Sequence, residues 1–211
     1  MQFCQATEIE TLLAVGGLLA RQEGHLTLGG DPQQLGPIVL SKVGKDNGLG
    51  VSMIERITMC QGYLPKDGVY PRDKIVKLVR NFRTNQQLLK VPSELFYDGE
   101  LKSCADPSKV NGMQEFTGLN KNIPLVIDAT LGEATQVGSP SYSNLEEAMK
   151  VRDWVLKLRA SGEDDRDIGV ITPYNSQVKL NKNMIGSDDV LVATVKTFQG
   201  REKKTIIIAT V

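Results

Sequence analysis

Four short stretches of the chain set polar, charged or aromatic residues beside glycine or proline, a composition that suits a site at the end of a strand. In Gly29-Gly30-Asp31-Pro32-Gln33-Gln34-Leu35-Gly36-Pro37, Asp31 can hydrogen-bond the neighbouring backbone and hold a loop. Gln34, three residues on, can donate to a phosphate oxygen or orient a water. A tight turn with an Asx cap is the equally simple alternative. In Leu78-Val79-Arg80-Asn81-Phe82-Arg83-Thr84, Phe82 beside Arg83 can stack a base and pair a phosphate. A buried phenylalanine next to a surface arginine is the plainer reading. In Ile168-Gly169-Val170-Ile171-Thr172-Pro173-Tyr174, Thr172 stands at a strand tip that leads into a helix, a place that suits a backbone phosphate. Pro173 there is also ordinary first-turn chemistry. In Thr194-Val195-Lys196-Thr197-Phe198-Gln199-Gly200-Arg201-Glu202, Gly200 permits close backbone approach and Glu202 can accept hydrogen bonds from a ribose. The alternative is a solvated charged turn.

The elements around these stretches alternate between helix and strand. Helices are expected over Thr7–Ala20, Val51–Met59, Thr84–Phe96, Ser143–Ala160 and Ser176–Met184. Pro92 should divide the third into two pieces. The fourth starts with Ser143 and Glu146 as a capping-box pair, shows an apolar face at Leu145, Ala148, Met149, Val155 and Leu158, and stops at Gly162. Strands are expected at 25–28, 74–79, 124–128, 168–171, 190–194 and 205–211, and residues 61–73 read as a loop. Strands separated by helices of this length predict an α/β fold, a parallel sheet sandwiched by helices, with ligands bound beyond the C-terminal strand ends. The four stretches fall there.

Composition sets wide bounds. The 211 residues are 40% hydrophobic and 24% charged, ordinary for a folded domain with a core. Lys+Arg and Asp+Glu are 25 each, so global charge does not point to a nucleic-acid partner, although a neutral protein can still carry a basic channel. Cys4, Cys60 and Cys104 are too scattered for a zinc site or a disulfide scaffold, and no metal ligands are assigned. No apolar run reaches the roughly 18 residues of a membrane span, and no secretory signal is visible at the N-terminus. The expected location is cytoplasmic, with ribonucleoprotein granules included.

In order and spacing, the four stretches resemble the motif set of superfamily 1 RNA helicases of the Upf-like group. GDPQQLGP looks like the third motif and LVRNFRTN like the fourth. IGVITPY and TVKTFQGRE look like the region of the fifth. PSELFYDGELKSCADP and GSPSYSNLEEA are similar to the Mov-ten/Armitage-like subgroup associated with RNA silencing. The resemblance covers roughly residues 5–211. It implies a RecA-like (P-loop NTPase) fold, with 1–73 the end of the first RecA-like domain and 74–211 most of the second. It implies ATP and Mg2+ as cofactors of a full-length parent, single-stranded RNA as partner, and RNA-silencing proteins as further partners. By position it makes Gln34 and Arg83 the catalytic pair that senses the terminal phosphate, and Phe82 the ring under adenine in place of the usual tyrosine. Glu202 falls at the ribose, with Asp31 and Gly200 completing the nucleotide contacts. Thr172, Pro173, Tyr174 and Thr197 fall along the RNA backbone.

The departures from the family pattern shape the expectation for this chain. No G-x-x-x-x-G-K-[ST] phosphate loop occurs in the sequence; Gly44-Lys45 is followed by Asp46 and lacks the earlier glycine. QATEIE, residues 5–10, looks like the tail of the second motif, and Met1 and Gln2 stand where a metal-holding Asp-Glu pair would come. The last residues precede the place of the sixth motif and its arginine. The expectation is a piece of a full RNA helicase that binds no nucleotide tightly and turns over no ATP by itself. Loss of one phosphate-stabilising arginine alone costs on the order of a thousandfold in rate. Two alternatives stay open: a truncated, non-catalytic module that binds RNA or a partner, and an unrelated α/β nucleotide-binding domain.

Overall fold

A computed structural model describes residues 15–17, 26–36, 38–110, 124–138 and 140–211. The chain divides into two compact units, residues 1–79 and 80–211.

In the first unit, residues 15–17 are helical; the rest of the helix expected over Thr7–Ala20, and QATEIE, lie outside the described residues. Helix α1 (Lys42–Asp46) is capped by Ser41, whose Oγ accepts from Gly44 N at 3.1 Å. Helix α2 (Met53–Thr58) is capped in the same way by Ser52 and carries Glu55 in its first turn, where the helix dipole favours a carboxylate. Lys66 and Val69 exchange both backbone bonds around Asp67 and Gly68, each with positive φ, the geometry that an Asp-Gly pair adopts most readily. The strands expected at 25–28 and 74–79 do not form among the described residues. A strand exists only by pairing, and Val76 and Leu78 stand exposed, so their alternation serves no buried face.

The second unit opens with β1 (Arg80–Asn81), followed by α3 (Gln86–Phe96), β2 (Lys102–Ser103) and the short α4 (Pro107–Val110). The strands β1 and β2 are parallel, Arg80 opposite Lys102 and Asn81 opposite Ser103. Helix α3 runs unbroken through Pro92, correcting the expected division. Pro92 removes one donor from the ladder, and the Asn85 cap and the remaining bonds keep the helix continuous. The expected strand at 124–128 also does not form: among the described residues no strand pairs with it, and Leu125 and Ile127 are exposed.

The antiparallel strands β3 (Thr135–Gln136) and β4 (Tyr142–Ser143) lead into α5 (Leu145–Ala160). The cap of α5 lies one residue later than the sequence suggests: Asn144, not Ser143, accepts from Glu147 N at 3.0 Å. Its end is a Schellman turn, with Gly162 N bonded to Arg159 O and Glu163 N to Leu158 O around a positive φ at Gly162. Then come β5 (Ile168–Thr172), α6 (Asn175–Ile185), β6 (Leu191–Thr194), α7 (Val195–Phe198) and β7 (Thr205–Ile208). The last three strands form a parallel sheet in the order β6-β5-β7, with Val170 opposite both Val192 and Ile207.

The core gathers Val151, Val155 and Leu158 of α5, Ile168 and Val170 of β5, Ile185 of α6, and Val190, Val192 and Ala209. Each large aliphatic side chain buried here stabilises by about 1.5–3 kcal/mol relative to exposure. The central strand is buried along almost its whole length, as a parallel strand covered on both faces must be. Cover is incomplete at β7, where Ile207 turns inward while Ile206 and Ile208 remain exposed.

Candidate functional site

In the first unit, the Asp31 carboxylate does two things. One oxygen accepts from Gln33 N at 3.0 Å and closes an Asx turn, and the other accepts from Gln34 Nε2 at 2.8 Å. The turn expected as the plain alternative is therefore present. The same carboxylate also holds the amide nitrogen of the exposed Gln34 in this loop.

In the second unit, the turn after β1 is tied down at both ends. Asn81 Oδ1 accepts from Arg83 N at 3.0 Å and from Thr84 N at 2.8 Å. Ser103 Oγ donates to Thr84 O at 2.7 Å, and Ser103 N donates to Gln86 Oε1. This fixed backbone presents Phe82 outward, 69% exposed. The phenylalanine is thus not a core residue, which removes the plain reading of this stretch. An exposed ring on a restrained turn is a ready stacking surface.

Arg83 does not point freely into solvent. Its Nε–H donates to Glu202 Oε2, joining two stretches 119 residues apart. Glu202 lies beyond α7, after Gly200, whose positive φ of 77° makes the turn. Ring, guanidinium and carboxylate thus come from two separate stretches, and the cation and the carboxylate meet directly.

A second group of candidates lies at the C-terminal ends of β5 and β6. Thr172 is completely buried and its Oγ1 finds no protein partner, so its hydroxyl is sealed from solvent in this arrangement. Pro173 is exposed, and half-buried Tyr174 packs edge-on against Tyr142 with ring centroids 5.3 Å apart. No side chain of Tyr174 caps α6; Ser141 from the β4 side supplies the acceptor instead, its Oγ taking Ser176 N at 3.0 Å. At β6, Thr194 Oγ1 caps α7 by accepting from Thr197 N and lies 3.1 Å from the Thr197 hydroxyl. Thr197 itself is exposed. Phe198 of α7 fills the space over Gly169, where a Cβ would come within 2.6 Å of its ring. This contact makes the glycine of IGVITPY and the phenylalanine of TVKTFQGRE parts of one packing unit.

Two residues of consequence were not singled out from the sequence. Gln177 is fully buried, accepts from Asn144 N at 2.8 Å and donates to Asn144 O at 3.1 Å. Glu147 accepts from Thr210 N at 2.7 Å and Val211 N at 2.8 Å. The signal for Gln177 is its spacing: Gln177, Asn181 and Ile185 recur every four residues and mark one inward face of α6. Among the described residues no three His, Cys, Asp or Glu side chains gather to hold a metal ion. An open hollow of about 470 Å3, lined by Trp154, Lys157, Ala160 and Ser161, contains none of the candidate residues.

Residues 49–211 match the model of a family described as an AAA domain. The chain belongs to this AAA-domain family. Over 98% of its length it is 38% identical to RNA helicase Mov10l1 of Mus musculus, covering 18% of that protein. The figures for RNA helicase Mov10l1 of Homo sapiens are 37%, 98% and 18%. ATP-dependent helicase NAM7 of Saccharomyces cerevisiae is 33% identical over 98% of the chain and 21% of that protein. The chain spans about a fifth of the length of the curated relatives it matches. The likeness to superfamily 1 RNA helicases carried by the four motifs therefore runs along the AAA-domain chain as a whole. The parallel β6-β5-β7 sheet with its helices agrees with the α/β fold of such a domain.

Proposed function

We propose that this chain is part of an ATP-dependent RNA helicase of the RNA-silencing type, contributing nucleotide and RNA contacts from a RecA-like fold. Residues 1–73 then close the first RecA-like domain, and residues 74–211 form most of the second. The observation that carries this reading is the meeting of Arg83 with Glu202 beside the exposed Phe82 ring. These offer the ring, cation and carboxylate that adenine, a terminal phosphate and a ribose require. ATP, when bound, supplies the phosphoanhydride bond whose cleavage drives movement on RNA. Arg83 would then meet charge developing on the terminal phosphate, and in the first unit Asp31 holds the Gln34 amide, which suits a phosphate-sensing role. Gly200 lets the backbone of the Glu202 segment approach closely. The RNA backbone falls to Pro173, Tyr174 and Thr197, with Thr172 buried behind them. Such contacts give sequence-independent binding that weakens with salt. The phosphate loop is not among these 211 residues, and no magnesium step is assigned to them.

The test is ATP hydrolysis by this chain, with and without single-stranded RNA, beside a mock preparation. The expected result is no turnover. In the longer helicase chain proposed to contain it, Arg83→Ala should abolish turnover and leave RNA binding largely intact. RNA-stimulated turnover by the 211 residues alone, or normal turnover in the Arg83→Ala helicase, overturns the assignment.

A further inference from the structure

We infer that Glu202 is a positioning residue that holds Arg83 in reserve until a nucleoside phosphate arrives, so that the site prefers nucleotides to bare polyphosphate. The inference rests on the nucleotide reading above and extends it to the control of the same site. The backbone of Arg83 is pinned by Asn81, so only its side chain is free to swing. The guanidinium Nε–H is occupied by the Glu202 carboxylate. Both side chains are close to two-thirds exposed, 62% and 64%, so the pair is weak enough to exchange with an incoming anion. A phosphate chain offers several charged oxygens and displaces a single carboxylate. Inorganic triphosphate must do this against the full strength of the pair. A nucleotide brings hydroxyls that draw Glu202 toward the ribose, and that movement releases Arg83. One carboxylate thus ties recognition of the sugar to availability of the phosphate-binding cation.

The prediction separates two probes. In the 15N-labelled 211-residue chain, the Arg83 Nε–Hε resonance, assigned by its loss in Arg83→Lys, should move in Glu202→Ala before any ligand is added. Sodium triphosphate should then shift that resonance at a concentration about two- to five-fold lower in Glu202→Ala than in the native chain, the worth of an exposed ion pair. ATP should show the opposite sign, binding the variant more weakly than the native chain. Glu202→Asp should restore the native order of the two probes. Because Glu202 is exposed, the variants should keep the native spectrum elsewhere, which checks the fold. A ligand-free Arg83 resonance that ignores Glu202→Ala overturns the inference. So does an equal or weaker response of the variant to triphosphate. If the ligand-free shift appears but neither probe moves Arg83 in any variant, the nucleotide reading at this residue falls and the reserve role falls with it.

Discussion

Gln177 and Asn144 form a closed two-bond clamp in which the glutamine amide copies a peptide group and satisfies both backbone polar atoms of the α5 cap residue. In a capping box, the acid three residues after the cap reaches back to the cap N–H. Here Gln177 of α6 takes that donor. Glu147 is thereby released to turn its carboxylate the other way, onto the amides that follow β7. One buried glutamine thus links two helices and frees the acid that holds the end of a strand.

Gln177→Ala should destabilise the second unit by about 1–3 kcal/mol, because it leaves the N–H of buried Asn144 without a partner, while Asn144 O keeps its bond from Ala148 N. Gln177→Glu should be at least as damaging at neutral pH, since a carboxylate cannot donate to Asn144 O and is buried as a charge. It should recover as pH falls and the acid becomes a donor. Urea denaturation midpoints at several pH values check both statements. A Gln177→Ala protein with native stability removes the clamp from the account.

Gly169→Ala should cost about 1–3 kcal/mol, because the new methyl meets the Phe198 ring inside a filled space. The penalty should shrink in a Phe198→Leu background, where room opens at the ring tip. A double-mutant cycle read by urea denaturation measures the coupling, and additive effects contradict the contact.

Glu147→Gln should leave the fold intact and loosen its last residues. The amide keeps one acceptor oxygen and sets its NH2 group against the other N–H, a loss of about 1–3 kcal/mol. Hydrogen exchange at Thr210 and Val211 should quicken several-fold while the α5 interior keeps its protection. Uniform change along α5 would instead point to a general loss of stability.

The pH dependence of stability should have an acid limb from Asp165. Two bonds from Arg159 at 2.7 Å and one from Ser187 at 2.6 Å hold this carboxylate below the usual aspartate range, against a smaller opposing effect of burial. A native pKa below the unfolded value stabilises the protein above the unfolded value, about 4, and that gain is lost as pH falls through the native one. The partly exposed pair is worth about 1 kcal/mol. Asp165→Asn should therefore lower the urea midpoint at neutral pH, with the difference from the native chain closing as pH falls below the usual aspartate range. A constant difference across the range contradicts the assignment.

What the sequence disclosed follows the physics of each segment. The strands β5, β6 and β7 and helices α5 and α6 were legible because apolar runs and periodic faces there serve one continuous core. The segments 26–28, 74–79 and 124–128 carry the same local signals without a pairing strand among the described residues, and pairing is a relation that no local window contains. The cap of α5 was displaced by one residue because Ser143 and Asn144 are both good caps. Gln177 decides between them by clamping Asn144 from a helix more than thirty residues away. The exposure of Phe82 was not legible in the sequence, because its neighbours suit a buried ring equally well. The Arg83–Glu202 contact crosses 119 residues and belongs to the tertiary structure alone.

The open flank of β7 has a consequence for the protein as a material. Among the described residues this strand ends the sheet, with Ile206 and Ile208 facing outward beside backbone groups that no neighbouring strand takes up. A border of that kind is a template on which another chain can build. Lys203 and Lys204 stand at its entrance; Glu163 pairs with Lys204, and the charge of Lys203 opposes a second copy arriving in register. Salt weakens that opposition. Any self-association through this edge is therefore expected to rise with concentration and with ionic strength.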